Sequence, residues 1–161
     1  TFHHAGANNF FLTVNYKARI LKAFFEELEP SYKVKFIEEK EPLGTAGSLK
    51  NIPNKITTPF FVTNCDVIFK TDSNEILSFH NAKGFDITLV ASTKEITIPY
   101  GVCNTNKNGQ LNNIEEKPTF DYLVNTGLYV LNPSMISLIP KNKYFDMTDL
   151  IKAAKKKKKK F

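Results

Sequence analysis

Cysteine and arginine are nearly missing from this sequence, and so is any long apolar run. The two cysteines, Cys65 and Cys103, have neither C-x-x-C spacing nor a histidine beside them. That pattern excludes a zinc site and a disulfide framework and leaves two free, buried thiols as the expectation. Arginine occurs once, at Arg19, and six lysines stand in one block, Lys155 to Lys160, which accounts for the whole formal net charge of +6. A nucleic-acid-binding face needs cations spread along a phosphate track. No nucleic-acid partner is therefore expected, and the lysine-rich tail over 155–161 reads as a solvated or disordered terminus. No stretch approaches the roughly 18 to 20 uninterrupted apolar residues of a membrane span, and the start lacks a charged-then-apolar leader. The expectation is a soluble, cytoplasmic protein with no membrane partner.

What the chain does have is aromatic and aliphatic mass: 14 phenylalanines in 161 residues, enough for one domain with a real core. Phe10 to Val14 reads as a strand buried on both faces. Asn15 is expected to cap a helix carrying Ile20, Leu21, Phe24, Phe25 and Leu28 at helical spacing until Pro30. Val34 to Ile37 is the next strand. Leu43 to Gly47 is a small-residue turn into a short helix, and Phe60 to Thr63 a third strand. Asp72 opens a helix that Gly84 stops, and Ile87 to Ala91 is a fourth strand. This alternation implies a mostly parallel sheet covered on both faces. Two extended segments around Asn108-Gly109 then form a hairpin, Leu128 to Leu131 is another strand, Pro133 opens a helix, and Asp146 caps a last one. His3 and His4 read as surface residues, and His80 lies on a helix face.

In an open parallel sheet, ligands bind beyond the carboxyl ends of the strands. Asp66 stands there, a hard-oxygen group suited to Mg2+, although an aspartate after a strand is by itself first a turn residue. The Gly44-Thr45-Ala46-Gly47 turn lets backbone N–H groups approach a nucleotide, or else serves close helix packing. Glu115-Glu116-Lys117-Pro118 ends a strand with a carboxylate and an ammonium that suit a sugar hydroxyl and a phosphate.

Taken in order, Glu39 to Leu49 (E-K-E-P-L-G-T-A-G-S-L), Asn64-Cys65-Asp66, Tyr100-Gly101-Val102, Asn108-Gly109, Ile114 to Pro118 (I-E-E-K-P) and Asn125 to Val130 (N-T-G-L-Y-V) resemble the sugar-1-phosphate nucleotidyltransferases. The resemblance runs from about Phe10 to Ala154 and leans toward mannose-1-phosphate guanylyltransferase-like members. It implies an α/β fold, Rossmann-like (GT-A-like), with three α/β/α layers, a mostly parallel mixed sheet and a β-hairpin region. It implies that Glu39 and Gly44 contact the nucleobase, that Thr45 is a further substrate-binding position and that Asp66 is a Mg2+ ligand. Gly101 would then meet the sugar through its backbone, Glu116 hold sugar hydroxyls, Lys117 pair with the sugar phosphate, and Asn125 and Thr126 line the sugar pocket. The implied substrates are a nucleoside triphosphate and a sugar 1-phosphate; the products are a nucleotide sugar and pyrophosphate.

Two family elements have no counterpart here. One is a first strand with a glycine-rich loop that cradles the triphosphate; Thr1 to Gly6 matches only a later helix end. The other is a second metal carboxylate after the last helix. The expectation is a partial domain, spanning 1–161, that is inactive alone and poorly covered, with self-association into a homo-oligomer as one consequence. A GT-A-type glycosyltransferase is the competing enzyme class, against which Asn64 replaces the first carboxylate of an Asp-x-Asp motif. A non-catalytic nucleotide-sugar-binding regulatory module is the other alternative.

Overall fold

The aromatic and β-branched run at Phe10 to Val14 suits a pleated strand, and in the computed structural model, which describes residues 2–53 and 56–161, strand β1 spans Asn9–Val14. It pairs in parallel with β2, Lys33–Glu38, across a crossover helix α1, Ala18–Leu28. Thr1 lies outside the described residues. Phe2 to Ala7 nevertheless closes as a helix end does: the Ala7 amide donates to Phe2 O, the Gly6 amide to His3 O, and Gly6 has φ +94, the Schellman pattern.

Two local expectations fail here. Asn15 does not cap α1; its side-chain amide donates to Glu39 O at 2.8 Å and ties the ends of β1 and β2 together, while Lys17 precedes the helix with φ 56. Nor is β1 buried on both faces, since only Val14 is. The apolar stripe of α1 is where the periodicity puts it, but Ile20, Phe24 and Leu28 are 63%, 58% and 49% exposed.

The core forms around a different sheet, β3 (Phe60–Thr63), β4 (Ile87–Thr97) and β7 (Thr119–Leu131), in the order β3-β7-β4. Both of its ladders are antiparallel, so the mostly parallel sheet is not what the described residues form. The reason is where β7 goes. β3 and β4, joined by helix α3 (Ser73–Lys83), point the same way as the β-α-β pattern requires, but β7 returns from the hairpin and inserts between them. Leu128 to Leu131 become the buried spine, at 0–3% exposure. Against Tyr129 and Leu131 pack helix α2 (Gly44–Gly47), two 3₁₀ turns (Ser48–Asn51 and Pro133–Leu138) and helix α4 (Met147–Lys156), which contribute Ala46, Leu49, Met135, Leu150 and Ala154. The element after Pro133 is thus a 3₁₀-helix rather than an α-helix.

Strands β5 (Gly101–Thr105) and β6 (Leu111–Glu116) form the expected hairpin, turned at Gly109 with φ +81. β7 begins nine residues before the run that marks it in the sequence, because its outer half pairs with β4 as an exposed ribbon. His80 lies on helix α3 as expected and is buried at 1% exposure, held between Thr88 Oγ1 at 2.8 Å and Asn132 Oδ1 at 3.3 Å. Cys65 and Cys103 are exposed, not buried, because one stands in a turn and the other in the open hairpin. The lysine block is ordered: Lys155 and Lys156 end α4, and Lys160 O accepts from the amides of Asp86 and Ile87 at 2.9 and 3.2 Å. Among the described residues no helix is long and apolar enough to cross a membrane.

Candidate functional site

Glu39 follows β2, and both of its backbone groups are pinned: its amide donates to Val14 O at 2.9 Å and its carbonyl accepts from Asn15. The side chain is consequently placed by the sheet. Burial holds its carboxyl above the ordinary glutamate range, against the opposing pull of the Leu43 amide. Its Oε1 is buried with no hydrogen-bond partner among the described residues. A buried acceptor without a partner calls for an explanation, and a ligand bearing N–H groups is one.

Gly44, five residues on, has φ +78, and a Cβ there would stand 2.8 Å from Phe145 O and 2.9 Å from Asp146 Oδ1. Only glycine fits this bend and this approach. The amides that follow do not face open solvent where a nucleotide could meet them; they are engaged within the protein. Thr45 N and Thr45 Oγ1 donate to Asp146 Oδ1 at 3.0 and 3.2 Å, and Ala46 N and Gly47 N donate to Phe145 O at 3.0 and 2.8 Å. In return Phe145 N donates to Leu43 O and Met147 N to Thr45 Oγ1, both at 2.8 Å. The Thr45 amide, foremost, holds the Asp146 carboxyl below the ordinary aspartate range. In the sequence Asp146 is only a helix cap; no local signal links it to a turn 101 residues away.

At the hairpin, Gly101 stands opposite Glu116 in the β5–β6 register. A Cβ on Gly101 would lie 3.1 Å from Glu116 Oε2, so the carboxylate lies over bare backbone. Lys117 takes a left-handed φ of 50 and donates its amide to Tyr100 O at 3.3 Å. Pro118 behind it is buried, and its carbonyl accepts from Ile98 N at 3.0 Å. The backbone there holds Lys117 in a sparsely populated region between two anchored residues.

Asp66 is exposed in the turn after β3, and that turn rests on an irregularity that the sequence pattern does not announce. Val90 faces Leu128 but Ala91 faces Asn125, so Thr126 and Gly127 bulge out of the β4–β7 ladder. Gly127 has φ +80; a Cβ there would come within 2.8 Å of Asn64 Nδ2 and 3.3 Å of Val67 Cγ2, and Gly127 O accepts from Asn64 N at 3.1 Å. The residues flanking Asp66 therefore sit on the bulge, a device found beside active sites. A glycine inside a strand run is the one signal that could have found it. Asn125 and Thr126 hold this bulge: Asn125 Oδ1 accepts from Gly127 N at 3.1 Å, its Nδ2 donates to Tyr129 OH, and Thr126 Oγ1 donates to Val90 O at 2.7 Å. Among the described residues no three histidine, cysteine or carboxylate groups cluster to hold a metal. Asp66 supplies one carboxylate, which fits Mg2+ only where waters and substrate phosphates complete its shell.

The chain has clear relatives among known proteins. The family model described as "Nucleotidyl transferase" matches residues 2–161. Mannose-1-phosphate guanyltransferases from Pichia angusta and Hypocrea jecorina are 39% and 38% identical to the chain over 145 and 144 residues. Each alignment takes in 84% of this chain but 40% of the relative, so the chain spans less than half the length of these curated relatives. Among solved structures, HddC from Yersinia pseudotuberculosis matches with a TM-score of 0.64 at 23% identity, over 96% of this chain and 81% of that one. A putative glucose-1-phosphate thymidylyltransferase from Bacillus anthracis matches with a TM-score of 0.68 at 16% identity, over 96% and 67%. Both are likenesses of fold, and they agree with the α/β class.

Proposed function

Because the chain belongs to the nucleotidyl transferase family, we propose that it carries the base-binding and sugar-phosphate-binding parts of a guanylyltransferase that forms a nucleotide sugar. In the reaction a phosphate oxygen of a sugar 1-phosphate, such as mannose 1-phosphate, attacks the α-phosphorus of GTP. The bond to the β-phosphate breaks and pyrophosphate leaves.

The observation that supports guanine is the unpartnered Oε1 of Glu39. Guanine presents a ring N–H and an amino group side by side, two donors that one carboxylate accepts together, whereas adenine alternates donor and acceptor on the same edge. Gly44, which alone fits the bend against Phe145 and Asp146, sets the backbone of the base end, and Thr45 holds that bend. At the other end Glu116 accepts from sugar hydroxyls above the bare backbone of Gly101, and the Lys117 ammonium pairs with the sugar phosphate. The Asn125–Gly127 bulge seats the Asp66 turn between the β3 end and the sugar side. Asp66 would hold Mg2+, whose charge offsets that of the triphosphate during the displacement. What remains for the protein is to align two polyanions and hold water away from them. A three-layer, GT-A-like sheet belongs to this reading, as does a single domain over 1–161.

The test is equilibrium binding by titration calorimetry with GTP, ATP, CTP, UTP and dTTP, and separately with mannose 1-phosphate. GTP is expected to bind best, and Glu39→Gln to weaken GTP by roughly tenfold or more, one charge-assisted hydrogen bond, while leaving ATP as it was. Equal affinity for all five nucleotides would overturn the guanine assignment.

A further inference from the structure

We propose that Asp146 is a positioning residue of the nucleobase end: without touching a nucleotide, it locks the Gly44–Thr45 bend and with it the Glu39–Leu43 segment that leads into the bend. The inference rests on the reading of Glu39 as the base contact.

A set of hydrogen bonds across the bend supports it. Glu39 is tied through its own backbone to Val14 and Asn15, and four residues on the Leu43 carbonyl accepts from Phe145 N at 2.8 Å, so the segment between them is held at both ends. Asp146, next to Phe145, accepts from both the amide and the hydroxyl of Thr45 through one oxygen, Oδ1. The Thr45 hydroxyl is engaged on both sides: it donates to Asp146 and accepts from Met147 N at 2.8 Å. The first amide of α4 is met by Thr45, so Asp146, which forms the capping box of α4 with Asp149, joins the helix start to the bend. At Gly44 a Cβ would stand only 2.9 Å from Asp146 Oδ1, so the bend has no room to relax while that carboxylate is in place. Position of the base contact is therefore set from a loop more than a hundred residues downstream.

The experiment compares Thr45→Val, Thr45→Ser and Asp146→Asn with the unaltered chain, titrating GTP, ATP and mannose 1-phosphate and recording thermal melting. Thr45→Val keeps the side-chain shape and removes the relay hydroxyl; Thr45→Ser restores it. Asp146→Asn keeps an acceptor but removes the charge, and it carries the test if Thr45→Val does not fold. The expected result is a GTP dissociation constant raised about tenfold in Thr45→Val, near 1.4 kcal/mol, with mannose 1-phosphate unchanged. Thr45→Ser should be close to the parent and Asp146→Asn intermediate. Preference for GTP over ATP should fall by the same factor, a change that loosened folding alone would not produce. Unchanged GTP affinity in both Thr45→Val and Asp146→Asn overturns the proposal, as does an equal loss for GTP and mannose 1-phosphate. If the folded parent chain binds no guanine nucleotide, the assignment of Glu39 fails first and this inference with it.

Discussion

Replacing Gly44 by alanine is the sharpest structural test of the clasp between the 43–47 turn and the 144–147 loop. Two costs add. An L-residue held at φ +78 is strained by about 1–2 kcal/mol. The new Cβ would also stand 2.8 Å from Phe145 O, and that contact is with backbone, which has no rotamer to escape into. Relief requires Phe145 O to back away, weakening the two hydrogen bonds it accepts from Ala46 N and Gly47 N, at about 0.5–1.5 kcal/mol each. The sum is about 2–5 kcal/mol, a large share of the roughly 5–15 kcal/mol that typically holds a domain together. For a chain of this size that lowers the melting temperature by about 5–15 °C, read by circular dichroism. Gly84→Ala is the control. Gly84 has φ +60 but nothing within 4 Å of its Cβ position, so it should show only the backbone strain, a fall of a few degrees. Equal losses in the two variants, or a Gly44→Ala chain melting within about 2 °C of the parent, would refute the steric argument.

Other outcomes follow from the same geometry. Gly101→Ala puts a methyl 3.1 Å from Glu116 Oε2 and should weaken mannose 1-phosphate binding several-fold while GTP binding holds; calorimetry with both ligands checks it. Asp66→Asn should abolish any gain in GTP affinity on adding Mg2+, with affinity in the presence of a chelator unchanged. Burial raises the Glu39 carboxyl, so its contribution is fully present below the ordinary glutamate range and is lost as pH rises through the raised value. Glu39→Gln should therefore gain stability relative to the parent as pH rises above the ordinary glutamate range, read by urea unfolding. Asp146 has the opposite sign: held low chiefly by the Thr45 amide, it stabilises above the ordinary aspartate range and loses that as pH falls. Asp146→Asn should flatten the acid side of the stability curve measured by urea unfolding.

Elements with a strong local cause are legible in the sequence. Asp72 accepts from Asn74 N at 2.8 Å and Gly84 closes the same helix with φ +60, as an aspartate cap and a residue without a Cβ dictate. The hairpin around Asn108-Gly109 and the short β3 strand lie where turn chemistry and β-branched runs put them. Where two partners compete for one group, local reading fails. Asn15 has the chemistry of a cap, but Glu39 O at the end of the neighbouring strand is the acceptor its amide meets. The outer half of β7 carries Phe120, Tyr122 and Val124 in alternation, a strand signal masked by the polar Thr119, Asp121 and Asn125 around it, which suggest surface loop.

The order of motifs along the chain determined the family, and the family carries Glu39, Asp66, Gly101, Glu116 and Lys117 as the groups to watch. That much is local chemistry at set spacing, which a linear string records. The string does not record which strand inserts between β3 and β4, since parallel direction and hydrogen-bonded neighbourhood are separate facts and only the second depends on the returning β7. Nor does it record that the amides of Thr45, Ala46 and Gly47 have their acceptors in Phe145 and Asp146. A backbone N–H can be satisfied by a ligand or by its own protein, and only packing at a sequence distance of about a hundred residues decided between them.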